Sequence, residues 1–183
     1  MSRTAISRVA CAACMISLLG LQLACAGEPS ASEEDYKAAA ALNADGDRAY
    51  REGQFSKALK AYMNSYPNHP NAHAYLMAGD AYWRAVLAAN PAVETSKAKG
   101  ACSLTNAYFA QDAARSLEQY FRPGLALADK EPAGAKDPGR LHQRSRAAAS
   151  CLSVVQRKYD ALPKTACVDL QEVAACIGDP LKP

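Results

Sequence analysis

The chain has 183 residues, half of them hydrophobic but only 7% aromatic, and a formal net charge of +3. That length favours one domain, and the small charge, with no block of like sign or basic stripe, excludes nucleic acid and an anionic membrane surface as expected partners. Much of the apolar share is alanine, which favours helix and buries little area, and few segments alternate as strands do. The expectation is an all-α fold with close helix contacts.

Residues 1–8 carry Arg3 and Arg8, residues 9–23 are apolar and uncharged, and Ala24-Cys25-Ala26 is small. This is the layout of a secretory signal over residues 1–26, cleaved before Gly27. The apolar run is too short for a stable membrane span. A second reading makes Cys25 the lipidated first residue of a membrane-anchored lipoprotein, which Ala24 suits and Gln22 does not. Both readings place the chain outside the cytosol, in the periplasm or beyond the cell. A membrane is a partner only if Cys25 is lipidated. Loss of Arg3 and Arg8 lowers the charge from +3 to +1. Of the seven cysteines, Cys11, Cys14 and Cys25 fall in or beside the signal, leaving Cys102, Cys151, Cys167 and Cys176. An even set in an exported chain reads as two disulfides.

Residues 27–35 form a polar, acidic lead-in. Ser32 with Asp35 makes a capping box for a helix over about 33–52, whose packing stripe is Tyr36, Ala39, Ala40, Leu42, Gly46, Ala49 and Tyr50. Gly53 breaks it. A second helix over about 55–66 places Phe55, Ala58, Leu59, Tyr62 and Tyr66 on one face and stops at Pro67-Asn68-His69-Pro70. Tyr75, Ala78-Gly79 and Tyr82 then repeat the first pattern, with Gly79 lying 33 residues after Gly46.

These residues resemble the tetratricopeptide repeat, a helix–turn–helix unit of about 34 residues. Leu42 stands at the family's aromatic position, Asp45-Gly46 at its Leu-Gly pair and Ala49 at its Tyr. Gly53 is at the turn, and Ala58, Tyr62 and Pro70 take the Ala, Phe and Pro positions. Asp45 and Ala49 depart from the pattern. Gly46 and Ala58 are expected to meet where the two helices cross. The resemblance covers about 39–125, one good repeat at about 39–72 and one interrupted repeat at about 72–125. An insertion over about 90–105 separates the halves of the second, and its second helix, about 106–121, carries Ala113 at the Ala position and Leu117 at the Phe position.

Arg122-Pro123-Gly124 and residues 130–139 read as loops. Leu141, Ser145, Ala148, Leu152, Val155 and Tyr159 form one seam of a further helix, about 140–159. Asp169 with Glu172 caps a short last helix ending at Gly178. The expected organisation is an array over 36–128, a loop over 129–140 and a helical cap over 141–183. A helix over 170–177 holds Cys167 and Cys176 about 13 Å apart, too far for a disulfide. An antiparallel hairpin turning near Leu162-Pro163 sets Cys151 within a turn of Cys176. The expected pairs are therefore Cys151–Cys176 and Cys102–Cys167.

The family lines a concave groove with the first helix of each repeat. That resemblance implies Asn43, Asp47, Tyr50 and Arg51 from the first, and His73, Leu76, Asp80, Trp83 and Arg84 from the second. The competing reading makes Asp47–Arg51 and Asp80–Arg84 ordinary i,i+4 pairs and Tyr50 and Trp83 packing residues. Pro70 separates His69 from His73, so one helix does not hold both as a metal pair. No nucleophile–base set, phosphate loop or dinucleotide glycine run stands out. The expectation is a non-catalytic protein- or peptide-binding scaffold without metal or cofactor. The competing classes are an assembly subunit of an envelope complex and a small-molecule-binding or hydrolytic helical protein.

Overall fold

The computed structural model describes residues 32–90, 102–130 and 138–178. The proposed signal, most of the insertion and much of the 130–139 loop lie outside them. The protein is all-α. Its helices are α1 (Glu33–Arg51), α2 (Phe55–Ser65), α3 (Ala72–Ala89), α4 (Asn106–Ser116), α5 (Arg122–Ala128), α6 (Pro138–Asp160) and α7 (Leu170–Ile177). A π-helical turn, Leu117–Phe121, joins α4 to α5 without a break in helical backbone.

Local chemistry sets most of these boundaries. The Ser32 hydroxyl accepts from the Asp35 N–H at 3.1 Å, and the Ser32 N–H donates to the Asp35 carboxylate at 2.9 Å, completing the expected capping box. At the other end Gly53 adopts φ 73°. Its N–H reaches the Tyr50 carbonyl at 3.0 Å and the Gln54 N–H reaches that of Ala49 at 2.8 Å, a Schellman ending that favours glycine. Asn71 caps α3 by accepting from the Ala74 N–H at 2.8 Å.

Arg122-Pro123-Gly124 is helix, not loop. Proline lacks the N–H that continues an α ladder, and its ring crowds the carbonyl four residues back. The preceding π turn widens the backbone there, and Pro123 falls in the first turn of α5, where a missing donor costs little. Gly124 then lets α5 close on α3, for a Cβ on it would lie 2.7 Å from Leu76 Cδ2.

Helix α3 is the shared wall of two cores. On one side Ala74, Ala78 and Ala81 pack with Ala49, Tyr50, Ala58, Tyr62 and Tyr120. On the other, Leu76 and Trp83 pack with Phe109, Leu117, Phe121, Leu152, Val155, Tyr159, Val173 and Ile177. The small residues are filled by rings. A Cβ on Gly46 would sit 2.5 Å from the Tyr62 ring, and one on Gly79 would sit 3.0 Å from the Phe121 ring. Gly46 thus faces the Tyr62 ring. The ring over Gly79 is Phe121, one turn beyond the Leu117 that spacing alone selects, because the long connection before α4 leaves the register to packing.

The α6 seam is as expected: Ser145, Ala148, Leu152, Val155 and Tyr159 are buried. Both disulfides also pair as expected. Cys102–Cys167 and Cys151–Cys176 each join Cα atoms 5.3 Å apart. The first sits beside a backbone clasp. The N–H groups of Asn106 and Ala107 donate to the carbonyls of Ala166 and Lys164 at 2.8 and 3.0 Å, so the start of α4 is satisfied by the loop after α6. The buried Asn106 amide is shared among the carbonyls of Tyr159, Leu162 and Pro163. The cap of α7 differs in detail from the expected box. Asp169 accepts from the Gln171 N–H, and its own N–H donates to the Tyr159 hydroxyl at 2.7 Å instead of to Glu172.

Candidate functional site

Tyr36, Asn43, Asp47 and Tyr50 are seven, four and three residues apart, spacings that return to one side of an α-helix. On that side of α1, each meets a partner from α3 or the turn before it. The Tyr36 ring lies 3.9 Å from that of His69. The Asn43 amide donates to Asn71 Oδ1 at 3.2 Å. Asp47 Oδ1 lies 2.9 Å from His73 Nε2. The Tyr50 hydroxyl donates to Asp80. A polar seam therefore runs along α1 and α3.

Two carboxylates organise it. Asp80 is buried, and a buried carboxylate needs partners to compensate lost hydration. It has Tyr50 and the Arg84 Nε, which donates at 2.9 Å. The Arg84 Nη2 continues to the Gly178 carbonyl at 2.7 Å, fastening the end of α7 to the seam. Its guanidinium also lies 5.7 Å from the Tyr50 ring centre and 5.8 Å from that of Phe55. Burial, then the Asp80 charge and hydrogen bond, push the Tyr50 phenol far above its ordinary range, so it stays a donor.

Asp47 is more open, with 33% of its side chain exposed against 43% for His73. Its Oδ1 also accepts from the Tyr62 hydroxyl at 2.7 Å. Burial alone raises this carboxyl. Hydrogen bonds from His73 and Tyr62, with the charges of His73 and Arg51, outweigh that and leave it below the usual carboxylate value. Burial and Asp47 together hold the Tyr62 phenol protonated.

No protein-family model, curated protein or solved structure matches the chain. The seam itself must carry the functional reading. Of the residues placed in a groove by sequence, Asn43, Asp47, His73 and Arg84 share this wall with partial exposure, and Arg51 is exposed one turn beyond Asp47. Tyr50 and Asp80 belong to the same wall but are buried inside it.

Trp83 and Leu76 do not belong to it. Both are core, 0% and 1% exposed, in the cluster that α3 forms with α4, the π turn, α6 and α7. The Trp83 indole N–H donates to the buried Ser116 hydroxyl at 2.9 Å, and its ring lies 5.8 Å from Phe109. The match between Asp-x-x-Tyr-Arg and Asp-x-x-Trp-Arg is therefore not a repeated surface. Asp80–Arg84 is the i,i+4 pair of the competing reading, but it is drawn into the fold. Asp47 takes His73 and Tyr62 in preference to a direct bond with Arg51.

Sequence pattern does not single out Tyr36, Tyr62 or Asn71 as members of the seam. Asn71 carried a signal, a capping residue directly after Pro70 and before an apolar run. Among the described residues no group of three or more His, Cys, Asp or Glu is placed to hold a metal ion.

Proposed function

We propose that the chain is a non-catalytic, tetratricopeptide-like scaffold whose α1–α3 wall binds a protein or peptide outside the cytosol. The observation that carries this reading is the seam. It supports a partner-facing role because one side of α1 and one side of α3 are locked in register by cross-helix hydrogen bonds. Asp47, His73, Arg51 and Arg84 are thereby held on a stiff support with solvent access. Preorganised polar groups beside aromatic rings lower the ordering cost of binding. The two disulfides point to an oxidising, non-cytosolic setting. Among the described residues no helix is long and apolar enough to cross a membrane. Export itself, by soluble release or by a lipid on Cys25, belongs to the same proposal.

The test is differential enrichment. Wild-type protein and the Arg51→Ala/His73→Ala double variant are each immobilised and exposed to the envelope and secreted fractions of the exporting host. The expected result is a discrete partner retained by wild type and lost by the variant, with both proteins melting at similar temperatures. Equal retention by both would contradict the proposal.

A further inference from the structure

We propose that Cys102–Cys167 is a redox-active disulfide, opened at Cys167 by an external dithiol and re-formed without loss of the fold, whereas Cys151–Cys176 is structural. The two bonds differ in access. Cys167 is exposed and Cys102 half-buried, and every residue from Ala161 to Thr165 on the approach to Cys167 is exposed as well. Cys176 is 8% exposed, inside the core of Leu152, Val155 and Val173, and Cys151 packs against that core. Thiol–disulfide exchange needs a thiolate to reach a sulfur, so access selects the first bond over the second.

The surroundings of Cys102–Cys167 hold the chain without it. Thr105 and Cys167 pair as an antiparallel bridge, and the Val168 N–H donates to the Leu104 carbonyl at 3.1 Å. Leu104 and Val168 are both buried in the larger core, one on each side of that bridge. The Asn106 and Ala107 N–H groups and the Asn106 amide add bonds to the loop after α6. With the sulfurs separated, these contacts still keep the two cysteines side by side, in position to close again. Opening Cys151–Cys176 has no such clasp beside it among the described residues.

The exchange balances as two substitutions at sulfur. A thiolate of the dithiol attacks Cys167 Sγ, the bond to Cys102 breaks, and Cys102 leaves as a thiolate that takes a proton from water. The second thiol of the reductant, deprotonated, attacks its own sulfur in the mixed disulfide and releases Cys167, which is protonated in turn. The dithiol is oxidised to a disulfide and the cysteine pair gains its two electrons and two protons.

The test exposes purified full-length oxidised protein to limiting dithiothreitol without denaturant. Samples are quenched in acid over time, and free thiols are alkylated and mapped. Cys102 and Cys167 are expected to appear together, about tenfold or more faster than Cys151 and Cys176. The protein opened at that pair alone keeps its helical circular dichroism, and removal of reductant with addition of oxidised glutathione restores Cys102–Cys167. Release of both pairs at one rate, of Cys151–Cys176 first, or of neither until denaturant is added overturns the proposal. Loss of the helical signal as the first pair opens, or re-formation of a different pair, overturns it as well. Single variants assign the attacked sulfur, since Cys102→Ser leaves Cys167 as a free thiol and Cys167→Ser leaves Cys102. The first is expected to form its mixed disulfide with oxidised glutathione several-fold faster than the second; equal or reversed rates overturn attack at Cys167.

Discussion

At the scale of single residues, small positions and charged positions play different parts, and mutation separates them. A Cβ on Gly46 runs into the buried Tyr62 ring, so Gly46→Ala should destabilise by about 1–3 kcal/mol in denaturant titration. Gly53 has open space around it, and Gly53→Ala should cost about 1–2 kcal/mol through its positive φ alone. Trp83→Ala empties a fully buried site and removes the indole donor to the Ser116 hydroxyl, so about 3–5 kcal/mol is expected. Asp47 has a folded pKa below its unfolded one. Its contribution is therefore fully present above the ordinary carboxylate value and is lost as pH falls through the lower folded value. Unfolding free energy measured from pH 6 to pH 2 should fall more steeply in wild type than in Asp47→Asn. Part of this was legible in the sequence, where the resemblance to the repeat marked Gly46, Asp47 and His73 by position. The burial of both Tyr50 and Trp83, in different cores, was not. Both sit beside an Arg on an amphipathic helix, and a helix buried on two sides gives no periodic sign of which side meets solvent.

At the scale of helices, the sequence carried the boundaries that local chemistry decides. Ser32, Gly53, Asp169 and Gly178 act at the ends where capping rules place them. The α6 seam could be read because its other side is polar. What escaped was the joint between α4 and α5, where Pro123 reads as a stop until the π turn before it is known. The disulfides could be paired because helix rise fixes distance along an axis. They close loops of sequence separation 65 and 25, and removing either should cost on the order of 3–4 kcal/mol, the longer loop somewhat more. Their local effects should differ. The Cys102→Ser/Cys167→Ser variant is expected to raise hydrogen exchange at Asn106, Ala107 and Val168, whose N–H groups form the clasp beside it. Exchange in α1 and α2 should stay unchanged. Faster exchange there instead would mean that the clasp is not local.

At the scale of the whole chain, α3 is the element that both cores share. One side carries alanines that let α1 and α2 approach. The other carries Leu76 and Trp83 against α4, the π turn, α6 and α7. Composition pointed to this arrangement, since alanine-rich helices pack closely, but it did not say which helix would lie in the middle. That follows from long-range packing and from the clasp at Cys102–Cys167. Arg84 links the two halves by reaching from the Asp80 carboxylate to the Gly178 carbonyl, so the wall at α1–α3 is braced by the end of α7. The most direct test of a partner-facing wall is site-specific photo-crosslinking in the exporting host. A photoreactive residue is placed at Arg51 on the wall, or at Val154, an exposed position on α6. Discrete adducts from position 51 and none from position 154 are predicted. Adducts from position 154 alone, or equally from both, would contradict the account.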